Sequence, residues 1–495
     1  MKTLIITEKP SVARDFAKAL CISGQKDGYM ENQKFVVTWA VGHLVELYEP
    51  HDYDPCWKKW RLEALPILPE NFFYKPIQKT QKQLSVIRRL LKNGNPEKVV
   101  IATDAGREGE VIARTILMTE GVDVDDFQNT GRFYRFWTSQ ALTPEVIRKG
   151  MQNLTPAGRY DRLWHAGRTR QIVDWLVGMN GSRSATIRMK DLFSVGRVQT
   201  AVLALLVDRK RERENFRPEP YWILKARFEN DKGVWWAIWF CKNQNRFTDE
   251  KSAEKVRKKV TDREGYVLSV DKQKKSQPPP MLYSLTDLQR DANVRFGFTA
   301  RNTLALAQSL YEEKKCLSYP RTDARVLGTG NVSFARKIIE KLSKSYPEPF
   351  KGVIKEKIST ENKRVFNDSR LTDHHAIIPL APLPRRAAAD EKKIYDLVLK
   401  RFAAAFHPDC LYEQTEIITE VEKETFITRG KIILKTGWRS VYGPETQKKS
   451  ESGFEEDQDL PPLKPDDPAA VAETMLGKKQ TIPPPEYTDA LLLRD

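Results

Sequence analysis

The chain has 495 residues, enough for about three or four domains of ~100–200 residues each. Its 83 Lys and Arg residues against 66 Asp and Glu residues give a formal net charge of +17. This charge favours a polyanionic partner, with nucleic acid ahead of an anionic membrane. The alternative is a basic protein without such a partner. Its five cysteines form no C-x-x-C pair, which argues against a zinc ribbon or a disulfide framework, and no apolar run approaches the ~20 residues of a membrane span.

The first predicted element is a buried strand, TLIIT at residues 3–7, and no signal-peptide pattern precedes it. We therefore expect a cytoplasmic protein with reduced thiols. A helix is predicted over 12–20, with Ser11 as its cap, then a strand at 35–40 and a basic amphipathic helix at 78–93. Strands that alternate with helices over the first 140 residues indicate an α/β domain with a mainly parallel sheet.

Acidic residues follow two of the predicted strands. Glu8 ends the first strand, and Asp104 ends the apolar run that begins at Val99. Parallel strands expose their carboxyl ends at one edge of a sheet, so both carboxylates are expected to face one point, with Glu108 and Glu110 joining from the next turn. Oxygen ligands of this kind suit Mg²⁺, which keeps several waters and also binds phosphate. The alternative is an ordinary acidic helix start.

The pattern changes after the α/β part. Residues 144–215 predict helices rich in Arg and Trp. The later predicted elements are a hairpin at 221–240, a charged helix at 250–260, a strand at 266–270, a boundary linker at 274–280, helices at 283–405 and two strands at 411–434. This order predicts a helical domain inserted in a β-domain. An acidic, proline-rich tail, 448–495, is expected to open with a flexible charged loop.

Residues 316–325, CLSYPRTDAR, contain a tyrosine directly before a proline. The residue before proline avoids the helical conformation, so Tyr319 is predicted to stand on a kink after a helix at 302–315. A tyrosine phenolate can attack phosphorus, and Arg321 could stabilise the charge on the transferring group. A packed or surface tyrosine is the alternative. No G-x-x-x-x-G-K-[ST] motif occurs, so an ATP-driven motor is not indicated.

Six motifs occur in a fixed order along the chain: TEKPSVA (7–13), TDAGREGE (103–110), SVGRVQT (194–200), SYPRTD (318–323), LTDHHAIIP (371–379) and TGWRSVYG (436–443). Together they resemble the bacterial type IA DNA topoisomerases, the topoisomerase III-like members in particular, over nearly the whole chain. The resemblance implies a multidomain α/β + α + β fold, in which a Toprim domain is followed by a toroidal core with a helical domain inserted in a β-domain.

The resemblance implies four domains. They are a Toprim domain at 1–143, a helical DNA-binding arch base at 144–217 and 436–495, a β-rich hinge domain at 218–278 and 406–435, and a helical domain with the nucleophilic tyrosine at 279–405. The last residues, PPPEYTDALLLRD, resemble the start of a further segment of the arch base. We therefore expect that this part of the arch base is incomplete.

The resemblance also implies roles for single residues. Tyr319 would cleave one DNA strand and hold its 5′-phosphate, Arg321 would stabilise that phosphate, and Lys9 would assist proton transfer to the leaving 3′-oxygen. The other implied catalytic residues are Glu8 and His374, and the implied Mg²⁺ ligands are Glu8, Asp104 and Glu108. The implied DNA contacts are Trp60, Arg183, Arg188, Ser194, Val195, Gly196, Arg197, Val198, Gln199 and Arg321.

The activity implied by the resemblance is ATP-independent. One strand is cleaved transiently through a 5′-phosphotyrosine link with Mg²⁺, another strand is passed, and the break is resealed, which relaxes negative supercoils or decatenates DNA. The implied partner is single-stranded DNA within supercoiled or catenated DNA of a bacterial nucleoid or plasmid. A helicase is an expected further partner of a monomer that does not bind membranes.

One position departs from the family's acidic pattern, D-x-D-x-E. Gly106 stands where the middle carboxylate is usual, which removes one Mg²⁺ ligand and predicts weak Mg²⁺ binding without DNA. A catalytically impaired paralogue that binds single-stranded DNA is therefore the alternative function. A Toprim primase or nuclease is a third option, but it would give no reason for the SYPRTD motif.

Overall fold

The structure is a computed structural model that describes residues 2–123, 125–129, 131–138, 142–242, 244–371, 374–443 and 460–495. The charged loop expected at the start of the tail lies largely in 448–459, outside the described residues. The chain divides into two compact units, the first made of Met1–Val207, Gln308–Ala324 and Ser369–Ile377, the second of Asp208–Ala307, Arg325–Asp368 and Ile378–Asp495. Among the described residues, no helix has the length and apolar character to cross a membrane.

The first unit contains nine strands and eight helices within its described residues. The strands are β1 (Thr3–Thr7), β2 (Gly24–Lys26), β3 (Tyr29–Glu31), β4 (Phe35–Trp39), β5 (Val45–Leu47), β6 (Tyr74–Pro76), β7 (Lys98–Ala102), β8 (Phe133–Arg135) and β9 (Thr155–Pro156). The helices are α1 (Pro10–Ala19), α2 (Pro50–Tyr53), α3 (Gln81–Lys92), α4 (Arg107–Thr119), α5 (Asp126–Asn129), α6 (Pro144–Gln152), α7 (Asp161–Met189) and α8 (Gln199–Glu214), of which α8 runs on into the second unit.

Seven of these strands form one sheet in the order β2-β3-β4-β1-β7-β8-β9. Its four central strands, β4, β1, β7 and β8, are parallel, which confirms the predicted α/β domain. Thr7, the last residue of β1, is level with Trp39 of β4 and Ala102 of β7. The residues that follow these three strands therefore leave the sheet at the same edge.

Both faces of this sheet are covered, as the apolar strands require. Alternate residues point to opposite faces: Leu4 and Ile6 of β1 pack in the core with α3 and α4, whereas Ile5 packs with α1 and α6. Helix α1 begins at Pro10 with Lys9 as its N-cap, so the prediction that Ser11 caps it is wrong. Proline suits the first helical position, because its fixed φ matches the helix and its missing N–H needs no partner there.

The second unit contains a six-stranded closed barrel, in the order β10-β11-β14-β13-β12-β15. Its strands are β10 (Pro220–Asn230), β11 (Gly233–Trp239), β12 (Glu264–Gln277), β13 (Cys410–Val421), β14 (Glu424–Lys435) and β15 (Pro468–Gln480). The remaining helices are α9 (Glu250–Val260), α10 (Leu285–Phe296), α11 (Ala300–Glu312), α12 (Val332–Ser345), α13 (Pro347–Phe350), α14 (Ala389–Ala404) and α15 (Asp489–Leu492). Helix α11 begins in the second unit and ends in the first.

Two sequence expectations differ from the barrel. The linker predicted at 274–280 is wrong in its first half, because Lys275 and Ser276 pair with Tyr412 and Leu411 and continue β12. Residues 468–480, expected in the helical arch base, form a barrel strand between β10 and β12. The rest of the four-domain division stays a prediction.

Candidate active site

Two carboxylates meet at the edge where β1 and β7 end. The backbone N–H of Asp104 donates to Glu8 Oε2 at 3.1 Å, and Lys9 Nζ lies 3.9 Å from Asp104 Oδ2. Burial and the neighbouring Asp104 charge raise the pKa of Glu8 to about 7, against the opposing effect of Lys9. The edge of the sheet thus holds two close carboxylates that are difficult to ionise together.

A buried arginine fixes the loop that carries Asp104. The Arg135 guanidinium donates to Asp104 O at 2.6 Å and to Thr103 O at 2.8 Å, and its Nε donates to Glu110 Oε1 at 2.5 Å. A Cβ on Gly109 would lie only 2.1 Å from Asp104 O, so the helix start approaches the loop too closely for any larger residue. These contacts hold the Asp104 backbone inward.

Glu110 does not join the strand-end carboxylates, contrary to expectation. Its side chain is fully buried and also pairs with Arg114 Nε at 3.0 Å, and Arg114 Nη1 continues to Asp161 at 2.6 Å. A buried charge is stable only when it is paired and hydrogen-bonded, and Glu110 meets this condition with two arginines. It therefore anchors the loop and does not supply a ligand.

Tyr319 lies at this same site, in the same unit as the sheet. Its chain segment is held by Ser318 Oγ, which donates to Ala376 O at 3.2 Å, and by Thr322 Oγ1, which donates to His374 O at 3.3 Å. The Tyr319 ring centroid is 4.4 Å from that of His374 and 6.0 Å from Lys9 Nζ. Sequence positions 8, 104, 319 and 374 are thus brought together.

The surroundings of Tyr319 keep it protonated. Burial and the charges of Asp104 and Glu8 raise the pKa of the Tyr319 phenol, against the opposing effect of Arg321. Burial lowers the pKa of His374 to about 4, so its imidazole is neutral near pH 7. Tyr319 is therefore a neutral phenol near pH 7, and the Asp104 carboxylate lines the same cleft.

A small cleft opens beside these groups, and its lining includes Asp104, Tyr311, Tyr319 and His374. Tyr311 packs edge-on against Tyr319 with 5.4 Å between ring centroids. Its own pKa is raised by burial and by the Asp104 charge.

Lys9 and Arg321 are linked through helix α11. Lys9 Nζ lies 3.4 Å from Glu312 Oε1, which also accepts from Gln308 Nε2 at 3.0 Å. Gln308 Oε1 accepts in turn from Arg321 Nη2 at 3.5 Å. The two cations predicted to meet phosphate therefore both have partners on the last turns of α11.

The strand-end carboxylates fit a divalent cation as a pair. Among the described residues Asp104 Oδ2 is buried with no hydrogen-bond partner, and burial together with the Asp104 charge raises the pKa of Glu8. Within the described ranges, no three His, Cys, Asp or Glu side chains are grouped to hold a metal. The predicted third ligand, Glu108, instead has Oε1 2.8 Å from His43 Nε2, a contact that lowers the pKa of Glu108. Magnesium accepts two carboxylates when water and phosphate complete its shell.

The segment 194–199, predicted to contact DNA, connects α7 to α8. Ser194 Oγ accepts from Gln199 Nε2 at 2.8 Å, and the N–H of Val195 donates to Ser182 on α7 at 2.9 Å. Gly196 N–H donates to the Thr200 hydroxyl at 3.0 Å. Arg197 is exposed and pairs with Asp174 at 2.5 Å, and Val198 is exposed. The loop is anchored on α7, and its DNA contacts stay a prediction.

The other predicted DNA contacts differ in exposure. Arg183 is buried, its Nη1 donates to Trp57 O at 2.6 Å, and its guanidinium lies 5.3 Å from the Trp60 ring centroid. Burial lowers the pKa of Arg183, and the hydrogen bond from its guanidinium to Trp57 O anchors the loop around Trp60 to α7. Trp60 is 41% exposed and Arg188, near the end of α7, is exposed. Trp60 and Arg188 are therefore accessible to a nucleic acid, whereas Arg183 is not.

Comparisons with known proteins agree with this arrangement. A family model described as DNA topoisomerase matches residues 159–495, and a model described as Toprim domain matches residues 3–135. The chain belongs to the type IA DNA topoisomerase family. DNA topoisomerase 3 of Bacillus cereus (strain ATCC 14579) is 37% identical over 494 residues, and DNA topoisomerase 3 of Bacillus subtilis (strain 168) is 36% identical. Both alignments cover 99% of this chain and 66% of the relative, so the chain spans about two thirds of their length.

A solved structure supports the fold of this topoisomerase family member. Full-length topoisomerase I from Thermotoga maritima matches with a TM-score of 0.69 and 23% identity, over 99% of this chain and 74% of that chain. At this identity the likeness shows the fold alone. The predicted fold, a Toprim domain with a type IA core, is therefore confirmed.

Several residues of this type IA site were not found from the sequence. Tyr311, Gln308 and Glu312 lie on α11 at helical spacing, and they face the site together. The only signal was that α11 directly precedes Tyr319, so that its last turns are expected to lie near the nucleophile. Arg135 and His43 gave no signal, because their roles depend on which strands are neighbours in the sheet.

Proposed function

We propose that the chain is an ATP-independent type IA DNA topoisomerase. It cleaves one DNA strand with Mg²⁺ through a 5′-phosphotyrosine link, allows another strand to pass, and reseals the break, which relaxes negative supercoils or decatenates DNA. The single observation that carries the proposal is that Tyr319 and Asp104 line one cleft and that the Asp104 N–H donates to Glu8, although the three residues are far apart in sequence.

The residues around Tyr319 support a chemical step of transesterification. As the phenolic oxygen attacks phosphorus, its proton passes to Asp104, whose carboxylate lines the same cleft as Tyr319. The bond from phosphorus to the 3′-oxygen breaks, and Lys9 is placed to protonate that oxygen. Arg321 stabilises the charge on the phosphate. Because the phosphotyrosine link conserves the energy of the phosphodiester bond, religation needs no ATP.

Glu8 and Asp104 would hold Mg²⁺, which supplies positive charge near the scissile phosphate when it is bound. Among the described residues Asp104 Oδ2 has no hydrogen-bond partner, and Lys9 Nζ lies 3.9 Å from it. Glu108 is directed to His43 and is a weaker candidate. With two carboxylates, tight Mg²⁺ binding is expected only when a DNA phosphate completes the site.

The proposed DNA partner is a single strand that meets the exposed, basic and aromatic surface around Trp60, Arg188 and Arg197. Phosphate contacts by exposed cations and stacking on aromatic rings are the usual means by which proteins bind single strands. A helicase partner, the monomeric state and the cellular location stay predictions.

Relaxation of a negatively supercoiled plasmid with Mg²⁺ tests the proposal. Wild-type protein should relax the plasmid without ATP, and Tyr319→Phe should lose relaxation and the covalent DNA adduct, because no oxygen nucleophile remains. Tyr412→Phe is the matched control, since its ring lies in the barrel under Lys431. Cleavage that persists in Tyr319→Phe would rule out the tyrosine mechanism.

The second candidate function is binding of single-stranded DNA without catalysis. It is favoured by Gly106 and by the presence of two, not three, grouped carboxylates among the described residues. Under this alternative, the protein binds a single-stranded oligonucleotide but gives no relaxation, decatenation or covalent adduct at any Mg²⁺ concentration.

A further inference from the structure

Glu312 is an anion placed among the cations of the site. Its Oε1 lies 3.4 Å from Lys9 Nζ, and it accepts a hydrogen bond of 3.0 Å from Gln308, which is itself the partner of Arg321. Among the described residues the other carboxylate within 4.0 Å of Lys9 Nζ is Asp104, at the longer distance of 3.9 Å. Glu312 is therefore the nearer anion to Lys9.

The position of Glu312 in its helix is unfavourable by itself. Glu312 is the last residue of α11, and carboxylates are destabilised at helix C-termini, where the backbone carbonyls give a negative end. Its side chain is about a third exposed, so it can turn towards water without a large desolvation change. The contact with Lys9 is thus what favours the inward position.

We propose that Glu312 is a built-in substitute for the DNA phosphate: it occupies Lys9, and through Gln308 it restrains Arg321, until a phosphodiester displaces it. A carboxylate and a phosphodiester carry the same charge, so the exchange leaves the balance of charge around Lys9 unchanged. The same exchange in reverse assists release of the strand. Glu312 is a positioning residue, since it touches neither the phosphorus nor the attacking oxygen.

The inference rests on the proposed function, because it takes Lys9 and Arg321 to meet a phosphate. It adds a competition that weakens binding of DNA to the free protein. Removing the Glu312 charge should therefore tighten binding, whereas removing a carboxylate that only supports the phosphate site should weaken it.

The test is the binding of a labelled single-stranded oligodeoxynucleotide to the full chain in EDTA, where no cleavage occurs, measured by fluorescence anisotropy. Glu312→Gln should lower Kd roughly two- to fivefold, the scale of one partly exposed ion pair. Glu313→Gln is the matched control, because Glu313 is the adjacent carboxylate with a side chain 69% exposed. It should change Kd by less than Glu312→Gln does.

A double-mutant cycle shows whether the effect passes through Lys9. The gain from Glu312→Gln should disappear when Lys9→Gln is already present, since no cation is then left to release. An unchanged or higher Kd in Glu312→Gln, a gain no larger than that of Glu313→Gln, or a gain that persists without Lys9 would each overturn the inference. Thermal unfolding of Glu312→Gln close to wild type would show that the fold is intact.

This result is separable from the proposed function. If the wild-type chain binds the oligonucleotide and Glu312→Gln tightens it, but no Tyr319-dependent adduct forms with Mg²⁺, the topoisomerase proposal fails and the phosphate substitute remains. If the adduct forms and Glu312→Gln binds no tighter, the inference fails alone.

Discussion

Glu8 is the residue of the site with the clearest electrostatic conflict, because its carboxyl group is buried beside a second carboxylate. It is buried beside Asp104 and accepts the Asp104 backbone N–H, which fixes its position. Burial and the second carboxylate raise its pKa to about 7 from an ordinary 4.5. Near neutral pH the folded, metal-free protein must therefore keep a proton on Glu8 or accept an unfavourable charge, which a bound cation would relieve.

This conflict predicts a pH-dependent gain of stability in Glu8→Gln. The folded state binds the Glu8 proton more tightly than the unfolded state, so the contribution of Glu8 to the stability of the wild type should fall as pH rises from about 4.5 to about 7. Glutamine has no such proton. In EDTA, the free energy of unfolding of Glu8→Gln should exceed that of wild type by roughly 3 kcal/mol at pH 8 and by little at pH 4.5.

Urea unfolding at both pH values measures this difference, with Glu313→Gln as an exposed control. Added Mg²⁺ should stabilise the wild type at pH 8 and not Glu8→Gln. Equal pH dependence in wild type and Glu8→Gln would contradict the raised pKa of Glu8.

At the scale of elements, the connection from β7 to α4 is held by charge rather than by apolar packing. Arg135 on β8 donates to the carbonyls of Thr103 and Asp104, and Glu110 on α4 receives both Arg135 and Arg114. The side chains of Arg135 and Glu110 are both fully buried. This network therefore orients the Asp104 side chain, and its loss would disturb the candidate active site first.

Glu110→Gln should therefore destabilise the fold strongly. It leaves the buried guanidinium of Arg135 without its anion, and breaking a buried pair in this way costs about 3–5 kcal/mol. Glu108→Gln, two residues earlier on the same helix, removes an exposed carboxylate whose pair with His43 is worth at most about 1 kcal/mol. Chemical unfolding of both variants in EDTA makes the comparison; similar losses of stability would contradict the structural role of Glu110.

The sequence predicts the elements of this region better than their side-chain partners. The apolar run after Lys98 and the acidic turn give β7 and α4, and parallel strands explain why Glu8 and Asp104 share an edge. The same pattern could not separate Glu108 from Glu110. Arg135 reaches Glu110 because β8 lies beside β7, whereas His43 reaches Glu108 from the loop between β4 and β5. Residues in long-range contact are far apart in sequence, so the hydrophobic periodicity of a single helix or strand does not relate them.

The limits of local pattern are also visible in the barrel. Alternation predicted β10, β11, β13 and β14, but β15 was not predicted, because Pro468–Gln480 is rich in small residues and lysine. It is a strand because β10 and β12 supply partners on both sides. The position of Tyr319 beside Asp104 likewise follows from the resemblance to the family and not from the pattern around Tyr319.

At the scale of the whole molecule, the net charge of +17 indicates a polyanionic partner without locating it. A cation contributes to DNA binding only where it can reach a phosphate and release counterions. Arg183 and Arg188 lie on the same helix and differ in this respect, since Arg183 is buried against Trp57 O and Arg188 is exposed. Variants at these two positions therefore measure how much of the positive charge contributes to binding of the DNA strand.

Arg188→Gln should weaken binding of a single-stranded oligonucleotide to a similar extent for every sequence, and it should reduce the slope of log Kd against log salt concentration by about 0.7, the value for one phosphate contact on a single strand. Arg183→Gln should leave this slope unchanged, because the guanidinium of Arg183 is buried in the wild type and does not reach a DNA phosphate. It should instead lower the free energy of unfolding by about 1–3 kcal/mol, since Trp57 O loses a buried hydrogen bond and Trp60 its cation. Anisotropy titrations over a range of salt, together with urea unfolding, separate the two effects. A reduced slope in Arg183→Gln and none in Arg188→Gln would show that the loop around Trp60 opens when the strand binds.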